Sequence, residues 1–425
     1  MAERVRSIAD LGPSERATVF ERDAGIGAVQ SDVASILERV REEGDVALRE
    51  YAAEFDDVTV GSLEVTDECQ RAWEDLEDPL CGAIEEAIEN VRTFHEAQVP
   101  TDWRESFDEG RELGRRFRPI GQVGVYVPGG TAAYPSSAIM GIVPAVVAGV
   151  DHIVVATPPA AEPNPATLGA IHAAGADAVY AVGGAQAIAA MAYGTESVPA
   201  VEKVVGPGNR WVTAAKAAVR DDVAIDFLAG PSEILVVADE TADPRLVAAD
   251  LLAQAEHDER AAVAAVTDDD ALATAIEAEI EKQLPGRARD DTIRAALAEP
   301  ASGIFLARSM SEAISFAEAY APEHLAIVTS DDEAVLERID TAGSVFLGPH
   351  SPVAAGDYAS GTNHVLPTGA GARVTGGLSV DTFLRSTTVQ RLSRTGLETI
   401  RETVTTLADA EGLEGHARSI ERRFE

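Results

Sequence analysis

Cysteine and long apolar runs are scarce in this chain of 425 residues, and each scarcity argues against a class of protein. Only Cys69 and Cys81 occur, both in a polar region of helical character, so a disulfide framework is not expected. No apolar run reaches the ~18–20 residues that a membrane-spanning helix needs. The first residues lead into no hydrophobic signal segment. We therefore expect a cytoplasmic protein that binds no membrane.

Lysine is also scarce, and its scarcity accompanies an extreme negative charge. The formal net charge is −38, and lysine occurs only at positions 203, 216 and 282. The acidic residues are spread along the chain, so the charge belongs to the whole surface. Self-repulsion should weaken the folded state in dilute buffer, and concentrated salt should screen it. We interpret the chain as that of a halophile and expect no nucleic-acid partner.

Alternating strand and helix patterns predict an α/β fold with two consecutive Rossmann-like parallel sheets, each covered on both faces. The series begins near Gly121 and restarts after Gly230-Pro231. We predict a helical N-terminal region at 1–121, a first α/β domain at 122–230, a second at 231–375 and a helical C-terminal segment at 376–425. The predicted strands are 123–127, 152–156, 178–182, 203–205 and 224–227, then 234–238, 262–266, 303–306, 325–328 and 344–347.

Three glycine-rich turns follow strands of the first domain. The G-x-G-x-x-G fingerprint is absent, because Trp211 stands where its third glycine would be. One such turn is an ordinary connection between a strand and a helix, whereas three suggest a nonstandard nucleotide cleft, and both interpretations stay open. The turns are Val127-Pro128-Gly129-Gly130, Val182-Gly183-Gly184-Ala185-Gln186 and Val205-Gly206-Pro207-Gly208-Asn209.

Two polar residues end one face of a predicted helix in the second domain. Asp243 can cap this helix, and Val247, Leu251, Gln254 and His257 follow at spacings of three and four. An unpaired polar group on a buried face costs roughly 1–3 kcal/mol, so Gln254 and His257 need partners. They are either a satisfied core pair or part of a site.

Further candidate residues lie towards the C-terminus. Glu323-His324 precedes an apolar strand and is either a solvated turn or an acid–base pair, since histidine titrates near neutrality. The glycine-rich polar segment 356–367, which contains Asp357 and His364, is unlike a core segment. Glu411 and His416 lie near the C-terminal helices, where exposure is the ordinary expectation.

These segments together resemble the histidinol dehydrogenase family, in the family's order over roughly residues 120–420. The segment 356–367 is the most specific of them, and no functional position departs from the family pattern. The matching pieces are Gly124-Val125-Tyr126-Val127-Pro128-Gly129-Gly130, Gly206-Pro207-Gly208-Asn209, Ala229-Gly230-Pro231-Ser232-Glu233, Gln254-Ala255-Glu256-His257, Pro322-Glu323-His324-Leu325, the segment 356–367, and Glu411 with His416.

The resemblance implies an NAD-dependent, zinc-requiring oxidation of L-histidinol to L-histidine through histidinaldehyde, in a homodimer whose C-terminal segment crosses to the partner. It implies that His324 is the base in both oxidations and that Glu323 activates water. It implies a zinc site made of Gln254, His257, Asp357 and His416. It places NAD in the first domain, against Tyr126, Gln186 and Asn209. It places the substrate against Ser232, Gln254, His257, His324, Asp357, His364, Glu411 and His416.

Three other functions compete with the one that this resemblance implies. A zinc hydrolase could use the same ligand types with Glu323 as its base. A thiol-dependent aldehyde dehydrogenase needs a reactive cysteine in a glycine-rich loop, and neither cysteine lies in one. A non-catalytic nucleotide-binding protein would not need Glu323 and His324, which are both present.

Overall fold

The computed structural model of the chain describes residues 5–129 and 133–425. Two parallel sheets follow one another along the chain, and a smaller antiparallel sheet joins segments from its two ends. The predicted α/β class with two consecutive Rossmann-like sheets is thus confirmed. Gly130, which ends the first predicted glycine turn, lies outside the described residues. Within the described ranges, no helix is both long enough and apolar enough to cross a membrane.

The N-terminal region is mainly helical and packs on the first sheet. Gly44, whose φ is +54°, separates its second helix from its third. Residues of these two helices share a core with one face of the first sheet, and residues of the fifth helix share a core with the other face. The elements are β1 (Val5–Ser7), α1 (Pro13–Phe20), α2 (Gln30–Glu43), α3 (Asp45–Phe55), α4 (Thr66–Glu74) and α5 (Asp78–Glu96).

The first sheet contains all five predicted strands, in the order β6-β5-β4-β7-β8, and every neighbouring pair is parallel. Asn164 and Asn209 begin helices, because the side-chain oxygen of each accepts hydrogen bonds from two backbone N–H groups of the first turn. The elements are β4 (Gln122–Tyr126), α6 (Pro135–Ala148), β5 (His152–Thr157), α7 (Pro165–Ala174), β6 (Ala178–Ala181), α8 (Gly184–Tyr193), β7 (Lys203–Val205), α9 (Arg210–Val219) and β8 (Ala224–Ile225).

The second sheet has the order β1-β11-β10-β9-β12-β13 and is also parallel, with the N-terminal strand β1 at one edge. Its four inner strands are mostly buried and apolar, as expected where helices cover both faces. The elements are β9 (Glu233–Ala238), α10 (Pro244–Ala255), β10 (Ala262–Thr267), α11 (Asp270–Gln283), α12 (Asp290–Ala298), β11 (Gly303–Leu306), α13 (Met310–Tyr320), β12 (His324–Val328), α14 (Asp332–Leu336), β13 (Ser344–Leu347) and α15 (Val353–Tyr358).

The prediction that both ends of the chain are helical missed four strands. One is β1, and the other three form the antiparallel sheet, in the order β14-β3-β2. These three strands are rich in charged and polar residues and largely exposed, so no apolar run marks them in the sequence. The C-terminal helices are present as predicted. The elements are β2 (Trp103–Asp108), β3 (Arg111–Pro119), β14 (Leu384–Leu392), α16 (Arg394–Ala410) and α17 (Glu414–Glu421).

Candidate active site

Glu323 and His324 are buried at the amino end of β12, beside the start of β9. The main chain of Glu233, the first residue of β9, contacts both side chains. Its N–H donates a hydrogen bond to Oε2 of Glu323 at 2.8 Å, and its carbonyl oxygen accepts one from Nδ1 of His324 at 2.9 Å. One residue of a neighbouring strand therefore fixes both members of the predicted acid–base pair.

The hydrogen bond to Glu233 determines which nitrogen of His324 is free. A carbonyl oxygen can only accept, so Nδ1 carries the proton and Nε2 of the neutral ring keeps a lone pair. Nε2 is buried without a hydrogen-bond partner among the described residues, 3.8 Å from Oδ1 of Asp357. Burial, with the neighbouring His364 and His257, lowers the pKa of His324 to about 4, so the ring is neutral near pH 7. The site thus offers a proton acceptor.

Glu323 has the opposite electrostatic character. Burial raises the pKa of Glu323 well above its usual range, and the negative charges of Glu233 and Asp357 act in the same direction. The hydrogen bond from the N–H of Glu233 opposes the rise. A carboxyl group whose pKa is raised in this way can exchange a proton with water nearer neutral pH than a surface carboxylate can.

Asp357 and His364 are held together in the segment 356–367. Nδ1 of His364 donates to the carbonyl oxygen of Asp357 at 2.9 Å. A Cβ on Gly356 would lie 2.7 Å from the ring of Phe346, so glycine lets α15 approach β13 and place Asp357. Burial raises the pKa of Asp357 to about 7 and lowers that of His364 to about 4. Oγ of Ser137, on α6 of the first domain, lies 3.5 Å from Nε2 of His364.

The predicted helix before His257 is shorter than expected. Asp243 caps it, but α10 ends at Ala255, so the expectation that Gln254 and His257 share a helix face is wrong for His257. The N–H of His257 donates to the carbonyl oxygen of Gln254 in a turn beyond the helix. The physical reason is that the sequence after Ala255 is polar and carries no apolar residue that would continue the buried face.

His257 nevertheless lies near the acid–base pair, and Gln254 precedes it by three residues. Gln254 is 3% exposed, and its side chain has no hydrogen bond to any described residue. His257 is exposed in the single chain, yet desolvation by nearby atoms and then the charge of Arg289 lower the pKa of His257. Charge on His257 also lowers the pKa values of His324 and His364, so the three imidazoles face a common space.

The two C-terminal candidates are not part of this cluster in one chain. Glu411 directly follows α16 and His416 lies in α17, and both are exposed. The two helices pack mainly on each other. Ser232, in contrast, directly precedes Glu233 and so lies at the site.

The residues of one chain do not complete a metal site. No group of three or more His, Cys, Asp or Glu side chains within residues 5–129 and 133–425 is arranged to hold a metal ion. The chain does supply an incomplete donor set with the right chemistry. It consists of the amide of Gln254, the imidazole of His257 and the carboxyl group of Asp357, and zinc accepts such nitrogen and oxygen ligands. The chemistry of these three donors fits a zinc ion.

Tyr126, Gln186 and Asn209 line one cavity of about 660 Å³ in the first domain. Gly129 and Gly184, from two of the glycine turns, line it as well. The cavity lies at the carboxyl ends of β4, β5 and β7, where open α/β sheets bind ligands. The three turns therefore share a cleft large enough for much of a nucleotide.

A buried ion pair holds the turn that leads to Asn209. Lys216 pairs with Asp226, and the two side chains are 3% and 0% exposed. Nζ of Lys216 donates to the carbonyl oxygen of Gly206 at 3.0 Å, and the N–H of Gly206 donates to Asp226 at 2.9 Å. Gly206 has a φ of +113°, and a Cβ there would lie 2.3 Å from the carbonyl oxygen of Tyr126. Only glycine fits this close approach of the two strands.

Sequence reasoning missed the residues that support the acid–base pair. The carboxylate of Glu233 is buried and accepts two hydrogen bonds from Arg22, at 2.7 and 3.1 Å, and one from the N–H of Gly369 at 2.8 Å. Arg22 also lies over the ring of Tyr320, with its guanidinium carbon 3.9 Å from the ring centre. Glu233 belongs to a segment that matches the family, but nothing in the sequence links it to Arg22, 211 positions earlier.

A buried carboxyl–imidazole pair in the domain of one parallel sheet and a nucleotide-sized cleft in the domain of the other define an α/β enzyme. The chain belongs to the histidinol dehydrogenase family, whose model, described as "Histidinol dehydrogenase", matches residues 21–424. It is therefore an oxidoreductase.

Named relatives support this placement over the full chain. A histidinol dehydrogenase of Halobacterium salinarum is 70% identical over 99% of both chains, and one of Haloarcula marismortui is 68% identical over 99% of this chain and all of the relative. The solved structure of histidinol dehydrogenase from Elizabethkingia anophelis matches with a TM-score of 0.93 and 37% identity, covering 99% and 98% of the two chains. The halobacterial sources of the first two fit the halophilic interpretation of the acidic surface.

Removal of Arg22 should destabilise the protein strongly. Arg22→Met would leave the charge of Glu233 buried with only the N–H of Gly369, which costs about 3–5 kcal/mol when one partner of a buried pair is lost. The free energy of unfolding, measured by denaturant titration in concentrated KCl, reports this loss. Arg308→Met, which breaks an exposed pair with Glu312, is the control and should cause no measurable change. Equal stability of the two variants would show that Arg22 does not support Glu233.

Proposed function

We propose that this chain oxidises L-histidinol to L-histidine through histidinaldehyde, the last step of histidine biosynthesis. Each of the two oxidations transfers a hydride to one NAD and releases a proton, and a water molecule supplies the second carboxyl oxygen. Family membership supports the substrate. The observation that carries the mechanism is the free, buried Nε2 of His324 beside Glu323, with both side chains fixed by Glu233.

His324 suits the role of base in both oxidations. Its Nε2 can accept the hydroxyl proton of histidinol and later that of the hydrated aldehyde. Nδ1 stays bonded to the carbonyl oxygen of Glu233, which stabilises the imidazolium that forms. Glu323, when deprotonated, removes a proton from the water that adds to the aldehyde. Its raised pKa makes this carboxylate a stronger base than one on the surface.

Zinc is the second part of the proposal. Gln254, His257 and Asp357 would hold the ion together with His416 of the partner subunit. Bound zinc supplies a positive charge that orients the imidazole and amino nitrogens of the substrate, and it takes no part in electron transfer. Ser232, His364 and Glu411 would contact the substrate as well.

NAD would occupy the cavity lined by Tyr126, Gln186 and Asn209. The hydroxyl of Tyr126 accepts a hydrogen bond from the N–H of Gly184 at 3.1 Å, so the tyrosine is held at the first turn of α8. Asn209 caps α9, whose amino end lies at the same cavity. Two helix amino ends facing one cleft favour a ligand with phosphate groups.

The homodimer is proposed from the incomplete metal site and from the exposed C-terminal helices. Leu407 and Leu413, near the candidates Glu411 and His416, are 58% and 42% exposed in the single chain. Tyr358, next to Asp357, is 60% exposed. A partner subunit whose C-terminal helices cover Tyr358 would bury these side chains and bring His416 to the metal ligands. The cytoplasmic location stays a prediction from the sequence.

NAD reduction with L-histidinol tests the function directly. We expect absorbance of NADH at 340 nm to appear, with two NADH formed per histidine, in concentrated KCl. Chelation should abolish this turnover, and zinc should restore it, while circular dichroism should stay unchanged because each sheet has apolar cores of its own. Full activity of verified metal-free protein would contradict the zinc site. Hydrolytic activity without NADH would favour the zinc hydrolase instead.

Glu323→Gln should separate the two half-reactions. The variant should oxidise histidinol to the aldehyde but convert added histidinaldehyde to histidine at least ~100-fold more slowly, since a general base contributes about 10²–10⁴-fold. In the unsubstituted chain the second half-reaction should rise with pH, because Glu323 acts only when deprotonated and its pKa is raised. His324→Gln is the comparison variant and should slow both half-reactions. Normal aldehyde oxidation by Glu323→Gln would rule out its role.

Mixing two inactive variants tests the shared site. His257→Ala and His416→Ala subunits should each be nearly inactive alone. If His416 serves the partner, a heterodimer has one site with both lesions and one with neither, so its activity should approach half of normal. Heterodimers isolated with two different affinity tags give the measurement. An inactive heterodimer would show that His416 acts within its own chain.

A further inference from the structure

One carboxylate in the cavity of the first domain has no part in the mechanism above. Asp56, the residue that follows α3, lines the cavity with Tyr126, Gln186 and Asn209. Its Oδ2 atom is buried and has no hydrogen-bond partner among the described residues. A buried carboxylate oxygen without a partner is costly, and native structures nearly always satisfy such groups. The cavity therefore presents an acceptor that a ligand with hydrogen-bond donors would complete.

The end of α3 fixes the backbone at this carboxylate. The N–H groups of Asp56 and Val58 both donate to the carbonyl oxygen of Ala52, at 3.2 and 3.1 Å. Asp57, between them, has a φ of +55°, a left-handed conformation that usually belongs to glycine at a helix end. Asp57 is therefore a residue with backbone strain in the turn next to the cavity.

The position of Asp56 indicates which part of a dinucleotide it meets. α3 packs with α8 and α9 on one face of the first sheet, whereas α6 packs on the other face. α6 carries Ser137, which contacts His364 of the candidate active site. In the proposed function, the nicotinamide reaches His324 on that side. Asp56, across the sheet, therefore faces the adenosine end of the dinucleotide.

We propose that Asp56 accepts hydrogen bonds from the vicinal hydroxyls of the adenosine ribose and selects NAD over NADP. The proposal rests on the NAD-dependent oxidation argued above. Two adjacent hydroxyl donors match the two oxygens of one carboxylate. In NADP a phosphate group replaces the hydrogen of the 2′-hydroxyl. This ribose therefore has one hydrogen-bond donor fewer, and it carries negative charge that the carboxylate repels.

A second acidic residue of the same cavity provides a matched control. Glu162 also lines the cavity, but it is exposed and has no buried atom without a partner. Its substitution by glutamine removes the same charge from the same cleft. Only a specific contact, rather than the overall charge of the cavity, distinguishes Asp56 from Glu162.

Calorimetric titration with NAD and with NADP, in the same concentrated KCl and without substrate, tests the proposal. The unsubstituted protein should bind NAD more tightly. Asp56→Asn and Asp56→Ser should each lower the NAD to NADP affinity ratio by about 10-fold or more, the effect of losing hydrogen bonds to a charged group. Glu162→Gln should leave the ratio unchanged. Both Asp56 variants should keep the unfolding temperature, since the Oδ2 atom has no protein partner to lose.

The outcomes separate this inference from the proposed function. An unchanged ratio in both Asp56 variants, with NAD-dependent oxidation of histidinol intact, would overturn the role of Asp56 alone. A lowered unfolding temperature without a change of ratio would mean that the carboxylate supports the fold. Failure of the unsubstituted protein to bind or reduce NAD would overturn the proposed cofactor and, with it, this inference.

Discussion

The main chain of Glu233 is the constraint on which the candidate chemistry depends. It can hold Glu323 and His324 only because β9 and β12 begin at the same level of the second sheet, where His324 pairs with Ile234. A shift of one residue in this register would turn His324 to the opposite face of the sheet. The apolar cores on both faces of the sheet prevent such a shift. The tautomer of His324 is thus a consequence of the packing of the whole domain.

The two parallel sheets carry their candidate functional residues at opposite ends of their strands. The first sheet lines its cavity with residues that follow the carboxyl ends of strands, as open α/β sheets usually do. The second sheet instead carries Glu233 and His324 at the amino ends of strands. Polar side chains at an amino end can contact the N–H and C=O groups of a neighbouring strand's first residue, which fixes them without using a loop. The contact of Ser137 with His364 joins the two halves.

Two of the three lysines make contacts inside the fold rather than on the acidic surface. Of the three lysines, Lys216 is buried against Asp226, and Lys203 donates to the carbonyl oxygen of Thr382 at 2.7 Å. Lys203 joins segments that are 179 positions apart, whereas Lys216 links residues only ten positions away on either side, and a compact ammonium group with three donors suits both positions. Lys282 alone is on the surface, beside Glu279. Salt screens surface charges far more than buried pairs. High salt therefore reduces the repulsion between surface carboxylates while the buried contacts of Lys203 and Lys216 are little weakened.

The sequence predicted those features that depend on burial and missed those that depend on the main chain or on exposure. Ten strands were predicted because parallel strands are apolar runs between helices, whereas β2, β3 and β14 are polar on an exposed sheet. The candidate site residues came from the family resemblance, because a sequence motif consists of side-chain identities. Glu233 supports the site through its backbone, which any residue has, so no motif reveals that role. His416 is exposed in the single chain, so no contact within one subunit indicates the role that the resemblance implies for it. In the proposed homodimer, such a residue would carry part of the chemistry although it has no evident role in one subunit alone.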